Sequence, residues 1–461
     1  MPLRIKSRSL WSSPRIVGQA ISSPASAHRR DKRWRALPIL ALALAPLAHA
    51  QAPPTLTLQQ AEALAIQNHP RLQATRNEEG YANQQIIENR APFYPNVTGN
   101  LTASQANIGA RIGAGSLTDS RIYNRVGQGI EIEQLITDSG RTSSLVASSR
   151  LQAQATAQTS TATRYDILLQ VNRAYFEVLH AQAVVKVAQE TVGARQLLSD
   201  QVTELAKNQL KSQLDVSFAE VNVSQAKLLL VRAQNAVQQS LAELGRAMGS
   251  DQPANYQLAD EPLPSGPPGT VDDLVTQAIG NRPELAGLRY TRDAAYRFAD
   301  EEKDLSKPTV SAVAVVGLLP YIDTPPNNPI PGEYEGIGAN VSFPLFNGHL
   351  FSARREAASQ RAQESDQRLR DEQQRISRDV RVAWANANDA FQRIDVTAQL
   401  LRQAALALSL AQGRYELGLS SIVELTQAQL NLTEAEIENL NAKYEYQSDN
   451  SALEYTIGLL R

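Results

Sequence analysis

The 461-residue chain contains no cysteine, which removes disulfides, thiolate nucleophiles, cysteine metal ligands and a cysteine-linked lipid from consideration. Histidine is nearly as scarce. Beyond residue 50 only His69, His180 and His349 remain, and none stands at ligand or triad spacing from a paired acid. No glycine-rich phosphate loop ending in Gly-Lys-Ser/Thr occurs either. These absences argue against an enzyme and imply no catalytic residue, no metal and no cofactor. Long apolar runs are missing too. After Gln51 nothing approaches the roughly 20 residues that a membrane-spanning helix needs, so any passage through a bilayer has to use strands. Basic charge is also short: beyond residue 50 the chain keeps 36 Lys/Arg against 46 Asp/Glu, a net of about −10. With no basic stripe to neutralise phosphates, a nucleic-acid partner is disfavoured.

What is present begins with a segment to set aside. Arg29, Arg30, Lys32, Arg33 and Arg35 precede the apolar run Leu37–Ala48, and Ala48–Ala50 (AHA) forms an A-x-A site before Gln51. A basic stretch, a short apolar core and a small-residue cleavage site predict a signal peptide over residues 1–50, and hence export.

The remainder is written twice. Asn68–Leu72 (NHPRL) answers to Asn281–Leu285 (NRPEL), and Pro95–Thr98 (PNVT) to Pro308–Ser311 (PTVS), both offset by 213 residues. Further on the offset is 209: Tyr175 with Trp384, Ser212 with Ser421, Gly249 with Gly458. One module has been duplicated with a loop shortened by four residues between its strands. The expected organisation is a first repeat over residues 51–250, a Pro/Gly-rich linker over 251–270, and a second repeat over 271–461. Each repeat reads as helix, strand, loop, strand, long helix, turn, helix. Strands are expected at about 95–107 and 128–137, then at about 309–319 and 336–346. Helical hairpins are expected at about 141–248 and 350–457.

The strands alternate with period two, as in Gly129–Glu133 (GIEIE) and Ile337–Phe343 (IGANVSF), the mark of a half-buried strand. Only four such segments exist, joined by long loops at Asn107–Arg125 and Pro320–Gly332, and four strands cannot close a barrel alone. Phe93, Tyr94, Tyr123, Tyr321, Tyr334, Phe346 and Phe351 gather at strand ends and suggest an interfacial aromatic girdle. Glu131 and Glu133 share one strand face and are expected in a barrel lumen, setting selectivity or only wetting the wall.

The helices carry a heptad. Val216, Val223, Leu230, Val237 and Leu244 are each followed three residues later by Ala219, Ala226, Ala233, Ser240 and Ala247. The other three long helices repeat the pattern, with Val171, Val178 and Val185, then Val380, Ala387 and Ile394, then Leu425, Leu432 and Asn439. A period of 3.5 means left-handed coiled-coil packing, and the small residues let neighbouring helices come close. Alanine seams are too thin to fill a solid bundle, so the helices are expected to line a tube.

Three segments then carry a resemblance: Leu56–Leu64 (LTLQQAEAL) with Asn68–Pro70 (NHP), Pro344–Gly348 (PLFNG) after a strand, and Tyr415–Leu425 (YELGLSSIVEL) at a helix–helix turn. In this order, over residues 55–458, the chain resembles the TolC family of outer-membrane channels. The resemblance implies a membrane β-barrel joined to a long α-helical coiled-coil barrel. It implies a homotrimer with four strands per protomer in a 12-stranded barrel, embedded in outer-membrane lipid, with a helical tunnel in the periplasm. The implied function is passive export with a periplasmic adaptor and an inner-membrane pump or ABC translocase, in drug efflux or type I secretion. A periplasmic coiled-coil adaptor or structural protein of an export system is the rival reading; an adaptor would have one hairpin where this chain has two, and a purely structural coiled coil would leave the strands without purpose.

The resemblance also points to the hairpin turns. Glu424 stands where the family commonly has an entrance aspartate, Asp215 is its counterpart in the first repeat, and Tyr415 resembles a tyrosine that holds the closed state. Gln209, Leu210 and Ser212, with Gly418, Leu419 and Ser421, form the tips expected to contact an adaptor. The chain departs from the pattern at Gln209, opposite Gly418, at Glu424 itself, and at Ser420, where some members have a tethering arginine. Both carboxylates also lie in first helical turns, where capping alone would explain them.

Overall fold

The structure, a computed structural model, describes residues 55–104, 111–114, 117–121, 125–250, 256–267, 269–318 and 332–460. The expected signal peptide, Tyr123 and Tyr321 lie outside these residues. In chain order the elements are β1 (Thr55–Leu56), α1 (Leu58–Asn68), α2 (Pro70–Arg90), β2 (Asn96–Ser104), β3 (Arg111–Ala114), β4 (Leu117–Arg121), β5 (Arg125–Thr137), α3 (Arg141–Lys207) and α4 (Gln213–Ala247). They continue with β6 (Gln257–Leu258), α5 (Val271–Asn281), α6 (Pro283–Asp304), β7 (Thr309–Leu318), β8 (Glu333–Ser342), α7 (Leu350–Glu416) and α8 (Ile422–Thr456).

The helices dominate. α3 and α7 are each 67 residues long, about 100 Å at 1.5 Å per residue. Both begin on a turn with two consecutive left-handed residues, Ser139–Gly140 in one repeat and Gly348–His349 in the other. Asp138 closes the first of these turns, accepting from the Gly140 and Thr142 amides at 3.2 and 2.7 Å. In the lower half α4 packs on α3, α3 meets α8 across the repeats, and α8 packs on α7. In the upper half α2 packs on α3, while α6 lies against both α3 and α7. Four helices thus run abreast throughout, with α2 and α6 taking over where α4 and α8 end. At these handovers the chains nearly touch. A Cβ on Gly249 would meet the His69 Cα at 2.7 Å, and one on Gly458 the Asn281 Cβ at 2.9 Å. Both glycines also have positive φ, so glycine is required twice over at each joint.

The seams bury mainly small residues. Ala219, Ala226, Ala387, Ala390, Ala435 and Ala442 are all at most 1% exposed. Tight helix contacts therefore replace the interdigitated leucines of an ordinary bundle. Larger side chains collect where α1 and α5 cap the rows. Leu56, Ile167, Tyr175, Leu244 and Met248 form one cluster, and Leu274, Leu285, Ile376, Tyr446 and Leu453 form another.

The main sheet has the strand order β2-β5-β7-β8, antiparallel throughout. Its central pair, β5 with β7, joins the two repeats. One cross-strand row is Val97, Ile132, Ala314 and Ile337; the next, on the opposite face, is Thr98, Glu131, Val315 and Gly336. Period-two alternation thus makes one face apolar and the other largely polar. Val97, Leu101, Ile337 and Val341 on the apolar face are 55–92% exposed, with no layer over them among the described residues.

Three expectations need correction. The segment at 107–125 is not only loop: β3 and β4 pair there as a short antiparallel hairpin. The linker is not free of structure either, because β6 pairs in parallel with β1. Two-residue strands have no periodicity to read, so they hide in a proline-rich stretch. Tyrosines strap this belt to the helices. The Tyr175 hydroxyl donates to the Leu56 and Ala259 carbonyls at 2.9 and 2.6 Å, and Tyr446 donates to that of Ser265. Third, Tyr334 does not belong to a girdle on the apolar face. It is paired in register with Gly317 and Gly129, on the face that carries Glu131. Its ring lies across both glycines, since a Cβ on Gly317 would meet its Cζ at 2.6 Å.

Candidate functional site: the tips of the two hairpins

At the far end from the sheet, the α3–α4 and α7–α8 turns lie side by side over a shared core of Val202, Val216, Tyr415, Ile422 and Leu425. Both turns have the same backbone. In the first, the Leu210 amide reaches back to the Leu205 carbonyl (2.9 Å) and the Gln209 amide to Ala206 (3.0 Å). In the second, Leu419 reaches Arg414 (2.8 Å) and Gly418 reaches Tyr415 (3.1 Å). This is the Schellman closure, which places one residue in the left-handed region. Gly418 occupies it at φ 73° and Gln209 at φ 59°. The departure at Gln209 is therefore a strained residue in an unchanged turn. Gln209→Gly should stabilise this tip by about 0.5–1 kcal/mol, relief of Cβ crowding exceeding the entropy added to the unfolded chain. Slower hydrogen exchange at the Leu210 amide would register it; faster exchange would contradict it.

The next helices start on serine caps. Ser212 accepts from the Asp215 amide (3.2 Å), and the Asp215 carboxylate accepts back from the Ser212 amide (3.0 Å), completing a capping box. Ser421 caps the Glu424 amide more loosely at 3.4 Å. The Glu424 carboxylate does not return to its cap. It pairs with Arg414, Nε to Oε1 3.2 Å, across its own turn, and an Arg414 Nη donates to the Leu419 carbonyl at 3.4 Å. The two acids are thus inequivalent: Asp215 is used by its helix terminus, whereas Glu424 is shared with a mobile-stemmed cation. Both members of the pair are about half exposed.

Tyr415 is buried between the hairpins, and its hydroxyl has no hydrogen-bond partner. Lys211 of the first tip places its ammonium 4.0 Å from the centre of the Tyr415 ring, a cation–π contact that joins the two tips. Burial, and then the charge of Asp215, hold the phenol above its usual range. Leu210, Leu417 and Leu419 project from the turns at 67–76% exposure. Glu131 and Glu133 are not part of this site; they lie on β5, the length of α3 away. Sequence reasoning missed Lys211 and Arg414. Once the turn was recognised, Arg414 and Glu424 were legible as flanking its two ends, but the Lys211–Tyr415 contact crosses between hairpins and leaves no local signal.

A family model for outer membrane efflux proteins matches residues 63–250 and again residues 274–459, one match per repeat. The chain belongs to the outer membrane efflux protein family. It is a transport protein of the outer membrane and not an enzyme, and the adaptor alternative falls, since the model takes in both hairpins. It is 23% identical to the outer membrane protein TolC of Salmonella enteritidis, over 88% of this chain and 83% of that protein. It is 22% identical to the alkaline protease secretion protein AprF of Pseudomonas aeruginosa, over 86% and 83%. Among solved structures, the outer membrane protein VceC of Vibrio cholerae superposes with a TM-score of 0.74 at 19% identity, covering 87% of this chain and 96% of that one. The fold, mostly helical with a smaller sheet, is therefore TolC-like.

Proposed function

We propose that three copies of this chain assemble into a passive export duct. A 12-stranded barrel would sit in the outer membrane, and a helical tunnel would reach into the periplasm. The observation that carries this is the pair of unsatisfied edges. β2 and β8 end the sheet without partners among the described residues, and their exposed apolar face suits lipid. The edge helix α4 exposes Leu214, Phe218, Val221 and Leu228, a heptad-spaced stripe that needs a neighbour, and α7 exposes Val396, Leu400 and Leu410 at the opposite edge. Three chains of two repeats each would close both edges in a pseudo-sixfold ring. Glu131, Glu133 and Tyr334 then face the barrel lumen. Export into the periplasm by a cleavable signal peptide over residues 1–50 belongs to the same reading.

The duct would work with a periplasmic adaptor and an inner-membrane pump or ABC translocase, as in drug efflux or type I secretion. The protruding Leu210 and Leu419, with Gln209, Ser212, Gly418 and Ser421 around them, offer the apolar contact for an adaptor. Glu424 would form the entrance ring, with Arg414 partly neutralising it and Tyr415–Lys211 holding neighbouring hairpins closed.

Planar-bilayer recording of the purified assembly tests both parts. Cation-preferring channels should appear, and a monomer without conductance would sink the proposal. Glu424→Ala should weaken block by multivalent cations added from the helical end, whereas Arg414→Ala, which frees the carboxylate, should strengthen it several-fold. Identical block in all three proteins would leave Glu424 a structural residue.

A further inference from the structure

Between the two hairpins, above the tips, α3, α7 and α8 line a half-open cavity of about 720 Å³. That is the size of a small-molecule site. Its wall is apolar over Leu198, Val202, Leu408 and Leu425. Set into the wall are three buried polar side chains, each with an atom that finds no hydrogen-bond partner. They are Arg195 (4% exposed, Nε), Tyr415 (7%, hydroxyl) and Gln429 (9%, Oε1).

Arg195 is the unusual one. A buried guanidinium normally faces a carboxylate, because an uncompensated charge is costly to desolvate. Here its recorded bond is from Nη1 to the Asn222 carbonyl at 3.2 Å, and no carboxylate lies within ion-pair distance among the described residues. Asn222 is itself held by the Thr426 hydroxyl, to which its amide donates at 2.9 Å. One Nη of the guanidinium is thus anchored to the backbone of α4. The cavity is also lined by Glu190, Lys211, Glu416 and Glu436. Glu190 and Glu416 are exposed, Lys211 stacks on Tyr415, and Glu436 is half-buried with its carboxyl pushed up by burial and by the neighbouring Glu190 charge.

We infer that this cavity is a binding site for a small amphiphilic anion, with its acid group on Arg195 and its apolar body against the leucine wall. Charge complementarity favours the anion: Arg195 is buried without an ion-pair partner among the described residues, whereas Glu190 and Glu416 are exposed and screened, and burial pushes the Glu436 carboxyl towards its neutral form. A hydroxyl or amide on the ligand would find Tyr415 and Gln429. Since the walls come from both hairpins, an occupant would tie them together. The inference concerns binding alone and is independent of the assembly proposed above.

Calorimetric titration of the purified protein with naphthalene-2-sulfonate tests it, compared with the neutral naphthalene-2-methanol and the cationic 2-naphthylmethylamine. The sulfonate should bind saturably and at least about tenfold more tightly than either, the increment expected of a charged hydrogen bond to a buried guanidinium. Arg195→Gln should lose that advantage without changing the neutral compound, Arg195→Lys should keep part of it, and Leu198→Trp should block all three by filling the cavity. Absence of saturable sulfonate binding would mean a water-filled cavity and overturn the inference. So would unchanged affinity in Arg195→Gln, or tighter binding of the amine that is lost in Glu436→Gln. The three-compound series needs only the wild-type protein, so it decides even if a variant fails to fold.

Discussion

Ile337→Arg should leave the helical part folded and remove most of the protein from the outer membrane. Ile337 is 92% exposed and lies in the apolar row with Val97, Ile132 and Ala314. Among the described residues nothing covers that row, which leaves it for lipid or a partner. An arginine on the lipid face near the bilayer centre costs about 2–4 kcal/mol. In a trimer each copy would carry that cost. The matched control is Asn340→Arg, on the same strand but the opposite face, opposite Ser311. It should insert almost normally, because its side chain enters water. Outer-membrane fractionation of the two variants reads the difference, expected at tenfold or more. Equal recovery of both would mean that the apolar face does not meet lipid.

The second large effect is expected where helices meet the sheet. Adjacent residues near the end of α6, Glu301 and Glu302, are only 2% and 4% exposed. They reach in different directions: Glu301 accepts from Arg141 of α3 at 2.7 Å, and Glu302 from Arg354 of α7 at 2.6 Å. Each keeps one oxygen without a protein partner. Removing either arginine would strand a buried carboxylate. Arg354→Ala should therefore lower stability by about 3 kcal/mol, the lower end of the usual range because the arginine is half exposed. Glu302→Gln, which removes the charge with its shape retained, should cost under about 1 kcal/mol. The double variant should recover most of the loss. Thermal unfolding in detergent would measure all three, and a double variant as unstable as Arg354→Ala would show that packing, not charge, holds this joint.

Much of this architecture was legible because its signals are periodic. A heptad sustained along Val216, Val223 and Leu244 leaves no other way to bury the alanines that follow each of them, and the same holds for Leu425, Leu432 and Asn439. Alternation in GIEIE separated Glu131 from Ile132 before any coordinates. Signals carried by one or two residues were not legible. β6 was lost among prolines, and the β3–β4 hairpin lay in a stretch without clear alternation. Tyr334 was placed on the wrong face because aromatic composition at a strand end does not say which way a ring points; its register against Gly129 and Gly317 does. At the tips, the internal offset pairs Gln209 with Gly418 and so contains the left-handed turn. The unpaired guanidinium of Arg195 could not be read at all, since being unpaired is a property of everything around it.

The order β2-β5-β7-β8 has a temporal consequence. β5 meets β7 with Gln128 opposite Leu318, so the centre of the sheet cannot form until the chain has been made as far as β7. A newly made chain can wind its first hairpin from neighbouring residues, but its strands must wait, half-paired, for a second set about 190 residues later. The first hairpin is therefore expected to be an early product of folding and the four-stranded sheet a later one. A truncated chain that ends in the linker should yield helix without insertion.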